Sequence, residues 1–154
     1  MRIRNWSLGY LFGYIFTTIG IRSFYRKYKV VGKENIPKGK PILFAGNHQN
    51  AFLEGAILGY VTRSPIYFLA RSDIFKKKAA SFMLNSLNAL PIYRERDGAD
   101  YRDKNEEVFE QFYDLLGKNR RIVIFPEGNH GKHQQLRSLK KGIFRIAVGA
   151  EAKY

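Results

Sequence analysis

The chain has 154 residues, of which 45% are hydrophobic and 15% aromatic, enough apolar material for one packed core and too much for a disordered chain. It has no cysteine, which excludes disulfides, thiolate metal sites and a cysteine nucleophile. A formal net charge of +14 points to polyanionic partners, with nucleic acid and anionic lipid headgroups as the two candidate classes.

Residues 5–21 carry no charge and are rich in aromatic and aliphatic side chains; Arg2 and Arg4 precede them, and Arg22, Arg26, Lys27 and Lys29 follow. A helix of this length spans about 25 Å, less than the ~30 Å hydrocarbon core of a bilayer. Trp6, Tyr10, Tyr14, Phe24, Tyr25 and Tyr28 include the rings that favour a membrane interface, and flanking basic side chains can reach headgroups. Residues 1–28 are therefore expected to form a membrane anchor that lies in one leaflet or spans marginally, with a buried core helix as the alternative. A cleaved signal peptide does not fit the basic flank after the run.

Residues 29–154 read as one α/β domain. Lys29-Val30-Val31-Gly32 is expected to form a short strand, followed by a polar turn. Pro41 to Ala45 reads as a buried strand, residues 51–61 as a helix, and Ile66 to Ala70 as a second buried strand. Asp73 is the expected N-cap of a helix running to Leu87, with Lys76, Lys77 and Lys78 in its first turn, where the dipole disfavours them. Ala89 to Tyr93 gives a third strand. A helix from about Asp100 to Leu116 follows, its apolar stripe carried by Val108, Phe112 and Leu115 or Leu116, and Gly117 is the expected stop. Arg121 to Phe125 gives a fourth strand, and Leu139 to Ala150 a last helix. Strands alternating with helices predict a mostly parallel sheet flanked by helices.

In such a sheet, ligands gather at the carboxyl ends of the strands. His48, Arg71, Arg94 and Glu127 each fall at or just past an expected strand end. His48 stands between Asn47 and, six residues on, Glu54. Two positions six apart on one helix point about 240° apart, so His48 must precede the helix while Glu54 lies in an early turn. The carboxylate can then hold one ring nitrogen and leave the other as a proton acceptor. Arg94 and Arg96 are suited to two-pronged phosphate binding, and Lys140 and Lys141, before Gly142, can add to the same anion site. His130 and His133 lack the company a metal site needs, and no metal is expected.

With these residues in view, the chain resembles the glycerolipid acyltransferases of the lysophosphatidic acid acyltransferase superfamily. Asn47-His48 through Glu54 resembles that family's first motif. Leu90-Pro91-Ile92-Tyr93-Arg94 resembles the second, Phe125-Pro126-Glu127-Gly128 matches the third in full, and Lys141-Gly142 opens a helix as the family's later block does. The likeness runs from about residue 30 to 150. It departs at Glu54, where the family usually has aspartate, and it implies a chain cut short before a fourth, proline-containing motif.

The resemblance implies acyl transfer from an acyl thioester, acyl-CoA or acyl carrier protein, to the hydroxyl of lysophosphatidic acid or a related phospholipid precursor. His48 would be the general base and Glu54 its orienting partner. Arg94 and Arg96 would bind the acceptor phosphate, with Asn47, Glu127, Gly128 and Lys141 completing the substrate site. No cofactor beyond the acyl carrier is implied. The expected location is the cytoplasmic face of the cell membrane, with anionic membrane lipids as partners. A membrane-binding protein that keeps the fold with impaired catalysis is the second reading. Nucleic acid is not an expected partner, because the aromatics sit inside apolar runs and are not interleaved with basic residues as a stacking platform requires.

Overall fold

The computed structural model describes residues 6–47, 53–128 and 138–154. Four strands, β1 (Ile42–Ala45), β2 (Ile66–Arg71), β3 (Ala89–Ile92) and β4 (Arg121–Ile124), form one sheet in the order β1-β4-β2-β3, and every neighbouring pair is parallel. Parallel neighbours need crossover helices, and the sequence supplies them: α2 (Leu53–Thr62), α3 (Lys78–Ser86) and α4 (Tyr101–Gly117). The first two crossovers move across the sheet in one direction and the third returns. Right-handed crossovers therefore put α4 on the face opposite α2 and α3.

Strand alternation divides the core. Tyr67, Leu90, Ile122 and Ile124 point to the α4 face, where they meet Val108, Phe109, Phe112, Leu115 and Leu116. The expected stripe at i, i+4 and i+7 is thus buried, and Phe109 widens it. Helix α5 (Gly142–Lys153) closes this layer through Ile146 and Ala150. Lys153 reaches Glu110 at 2.7 Å and Asp114 at 3.1 Å, and Arg145 pairs with Glu106, so ion pairs line the outer edge of the α4–α5 contact. Phe112 is fully buried at the centre.

On the other face, α2 lies over β4 and β2. A Cβ on Gly55 would stand 3.9 Å from Val123, and one on Gly59 would stand 3.9 Å from Ile66. The N-terminal helix α1 (Leu8–Phe24) packs across α2 and α3. Ser7 caps it, accepting from the Tyr10 N–H at 3.0 Å and donating to the Ser86 carbonyl at 3.1 Å. Gly9 and Gly13 let the helix approach closely, since an added Cβ would come within 2.7 Å of Ser86 and 2.5 Å of Leu87. Tyr10 is buried and accepts from the Ile66 N–H at 3.0 Å, satisfying the first amide of β2. Burial pushes the Tyr10 hydroxyl pKa up.

The face of α1 turned away from the fold carries its bulkiest apolar side chains. Leu8, Leu11, Phe12, Ile15, Phe16 and Ile19 are all exposed, at the spacing of one helical stripe. Among the described residues, no helix is long and apolar enough to cross a membrane.

Several local expectations change. Residues 29–32 form no strand: Val30 and Val31 are exposed, no sheet neighbour reaches them, and Gly32 turns the chain at φ +80°. Asp73 caps no long helix. Residues Ser72–Lys76 form a 3-10 turn, and α3 begins only at Lys78, with Lys77 at its N-cap. Asp73 pairs instead with Arg71 through two hydrogen bonds. Of the three lysines, Lys78 alone lies in the first turn of α3, with Lys77 at its N-cap and Lys76 in the 3-10 turn before it. Gly117 is the last residue of α4, and the left-handed turn after it is made by Asn119 (φ 56°), as Asn88 (φ 63°) does after α3.

Two substitutions test this account. Phe112→Ala is expected to cost about 3–5 kcal/mol of stability, because it empties the middle of the α4 layer. Tyr10→Phe is expected to cost about 1–3 kcal/mol by leaving the buried Ile66 N–H without a partner. Both are read as a lower urea midpoint at unchanged slope.

Candidate active site

All four strands are parallel, so their carboxyl ends share one edge of the sheet. The loops leaving that edge carry nearly every residue singled out by the sequence. At β1, Gly46 donates its N–H to the Ile124 carbonyl at 3.2 Å and lies against the Phe125 ring, at 3.6 Å from where its Cβ would be. The segment entering Asn47 is thereby fixed beside the segment entering Glu127. Asn47 is exposed, and His48 lies outside the described residues. Glu54 stands half-buried in the first turn of α2.

At β4, a turn closes where the Gly128 N–H meets the Phe125 carbonyl at 3.0 Å. Gly128 has φ +71°, a conformation that disfavours a side chain. Glu127 inside this turn is 8% exposed, and it has no hydrogen-bond or ion-pair partner among the described residues. The Lys140 N–H bonds the Pro126 carbonyl at 2.7 Å, which draws the start of α5 to the same turn. Lys140 lies against Gly128, while Lys141 is exposed at the N-cap of α5.

At β3, Asn105 of α4 acts as a splint. Its amide donates to the Tyr93 carbonyl and accepts from the Tyr93 N–H, both at 2.9 Å. Beyond it, a single turn of 3-10 helix, Glu95–Asp97, holds Arg94 half-buried and Arg96 exposed. Asp97 accepts from the Arg94 N–H at 2.8 Å and from the buried Ser72 hydroxyl at 2.7 Å. It therefore ties the loop after β3 to the loop after β2. The Ser72 hydrogen bond, the Arg94 amide and the nearby arginine charges hold the Asp97 carboxyl below its usual range. Arg94, Glu95 and Arg96 line an open depression at this end. Arg71, the last residue of β2, is engaged with Asp73, whose carboxyl it holds low.

The structure thus brings Asn47, Glu54, Glu127, Gly128 and Arg94 to one edge. Adjacent strands lie about 4.8 Å apart, so the β3 loop stands roughly 10 Å from the β4 loop, room for an elongated substrate between them. Sequence reading missed Ser72, Asp97 and Asn105, which set the position of the arginines without being candidates for chemistry. The signal for Asp97 was available as an Asp-Gly pair closing a turn just after a strand; Ser72 and Asn105 had none. Among the described residues no cluster of His, Asp and Glu could hold a metal; His130 and His133 lie outside them.

A family model described as Acyltransferase matches residues 27–153. The chain belongs to the acyltransferase family. This acyltransferase-family chain is 29% identical over 125 residues to a 1-acyl-sn-glycerol-3-phosphate acyltransferase of Chlamydomonas reinhardtii, a match covering 80% of the chain and 36% of the relative. A 1-acyl-sn-glycerol-3-phosphate acyltransferase of Borreliella burgdorferi is 28% identical over 121 residues, covering 77% and 45%. The fold is shared with the crystal structure of the 1-acyl-sn-glycerophosphate (LPA) acyltransferase of Thermotoga maritima, at a TM-score of 0.64 and 20% identity, covering 89% of this chain and 52% of that one. The acyltransferase-family chain therefore spans between about a third and a half of the length of these proteins.

Asp97 gives a pH-dependent test. A carboxyl with a depressed folded-state pKa adds stability that is fully present above its unfolded value of about 3.9 and is lost as pH falls through the folded value. Asp97→Asn is therefore expected to lower the urea midpoint at neutral pH, and the gap from the parent chain should narrow progressively once pH drops below about 4. A gap that stayed constant down to the acid limit would remove the charged tie to Ser72 and Arg94.

Proposed function

We propose that this chain carries the acyl-transfer centre of a membrane-associated O-acyltransferase acting on lysophosphatidic acid or a related phospholipid precursor. The observation that carries the reading is the convergence of the β1, β3 and β4 exit loops at one sheet edge, bearing Asn47, Arg94 and Glu127. The names of the relatives supply the acceptor class.

The donor is an acyl thioester, carried on coenzyme A or on acyl carrier protein. His48 takes the proton from the acceptor hydroxyl as that oxygen attacks the thioester carbonyl. A C–O ester bond forms, the C–S bond breaks, and the proton passes to the departing thiolate. Glu54 orients the imidazole and stabilises its charged form. Arg94 and Arg96 bind the acceptor phosphate with paired donors. Glu127 accepts from a hydroxyl of the acceptor, and Gly128 keeps the backbone turn open for it, with Lys141 adding positive charge. No metal and no covalent acyl-enzyme enters the scheme, because the acceptor oxygen reaches the thioester directly.

Residues 1–28 anchor the protein to the membrane and residues 29–154 form the acyltransferase unit. The exposed stripe of α1 supports an interfacial placement on the cytoplasmic face, among anionic lipids that suit the net charge of +14.

The test is thioester consumption by purified protein in detergent with lysophosphatidic acid as acceptor. His48→Ala is expected to abolish turnover. Arg94→Gln is expected to raise the acceptor KM by about 10–100-fold with a smaller effect on kcat, the scale of a charge-assisted hydrogen bond. Undiminished turnover by His48→Ala would sink the mechanism. Absence of turnover in the parent chain, with vesicle binding intact, would leave a membrane-binding protein that keeps the fold.

A further inference from the structure

Where α1 ends, four side chains that donate hydrogen bonds gather away from the candidate active site. Tyr60 lies near the end of α2 and Arg63 just after it, three residues before β2, at the amino end of the sheet. The Tyr28 and Tyr60 hydroxyls stand 2.6 Å apart, with their rings edge to face at 5.7 Å. The Arg22 Nε–H donates to the Tyr60 oxygen at 3.2 Å, and its guanidinium lies over the Tyr60 ring at 6.0 Å. Arg22 and Arg63 both place positive charge near the two hydroxyls. Among the described residues no carboxylate pairs with either arginine.

The hydrogen bonds with Tyr28 and Arg22 hold the Tyr60 hydroxyl below its ordinary range, while the bond with Tyr60 raises that of Tyr28. The two terminal nitrogens of Arg22 have no partner among the described residues. The cluster therefore presents hydroxyl and guanidinium groups with positive charge that, among the described residues, no carboxylate neutralises, the arrangement that suits a phosphate.

The surroundings decide which phosphate. Ile19, Phe24, Val30 and Val31 are exposed around the cluster in sequence, and Ile19 ends the apolar stripe of α1. Arg26, Lys27 and Lys29 add further charge. A soluble phosphate ester has no use for exposed apolar side chains, whereas a phospholipid presents a phosphate directly above its acyl chains.

We propose that Arg22, Tyr28, Tyr60 and Arg63 form a binding site for the headgroup phosphate of an anionic membrane lipid, separate from the candidate active site. It rests on the reading of α1 as an interfacial helix and adds a specific contact to it.

The full chain is tested by flotation with vesicles of phosphatidylcholine alone and of phosphatidylcholine doped with phosphatidic acid. The double variant Tyr28→Phe/Tyr60→Phe keeps both rings and changes no charge at neutral pH. It is expected to weaken binding to the doped vesicles about tenfold, the scale of a charge-assisted hydrogen bond, and to leave binding to neutral vesicles as it is. Arg22→Gln should act in the same direction, and by more than the surface control Lys118→Gln. Circular dichroism verifies that each variant is folded. The proposal is overturned if the double variant binds doped vesicles like the parent, if Lys118→Gln costs as much as Arg22→Gln, or if binding to neutral vesicles falls equally. Full competition by millimolar inorganic phosphate would also overturn it, assigning the cluster to a soluble phosphate. A parent chain that binds neither vesicle would remove the interfacial reading of α1 itself, an outcome distinct from loss in the variants alone.

Discussion

The sheet depends on β4 entering between two strands made long before it. Ile42 and Ile66 are both in register with Arg121, and Phe44 and Phe68 both flank Val123, so β1 and β2 meet only through β4. Until residues 121–124 arrive, β1 has no partner, and the loop that bears Asn47 has nothing to fix it. The same strand delivers Phe125 against Gly46 and the turn that buries Glu127. Core, register and candidate site thus all depend on β4, whose pairing with β1 closes a long loop of chain at an entropic cost.

The arginine end of the site is built by a different logic. Arg94 is not held through its guanidinium. Its backbone is held by Asp97, which is itself anchored on Ser72, and the residue before it is splinted by Asn105. Backbone ties of this kind leave the side chain unspent, so its donors stay available to a ligand. Arg71, one strand over, is in the opposite situation: its guanidinium is engaged with Asp73 and serves the loop.

Much of this was legible in the sequence because the pattern was periodic. Apolar runs of four to six residues alternating with amphipathic stretches predicted four parallel strands and the helices between them, and the strand ends then aligned the candidate residues. What escaped was what periodicity does not encode. Lys29-Val30-Val31 has strand-like residues but no edge to join. Asp73 has the chemistry of an N-cap, yet Arg71 two residues earlier claims its carboxylate more strongly. Ser72 and Asn105 are ordinary polar residues whose role appears only when two loops, or a loop and a helix, are brought together. The bulk and aromaticity of the N-terminal run are plain in the sequence, whereas the close approach that Gly9 and Gly13 allow shows only once Ser86 and Leu87 are packed against them.

Those glycines have a consequence for α1 as a separable part. Gly9, Gly13 and Gly20 sit within a helix of 17 residues, and each costs roughly 1 kcal/mol of helix propensity relative to alanine. The helix therefore derives its order from the close contact with Ser86 and Leu87 and from the Tyr10 bond to Ile66, more than from its own residues. Spliced onto an unrelated protein, the segment would bring its apolar stripe without the rigidity that displays it on one side. The display of that stripe on one side belongs to the pair of α1 and the fold beneath it.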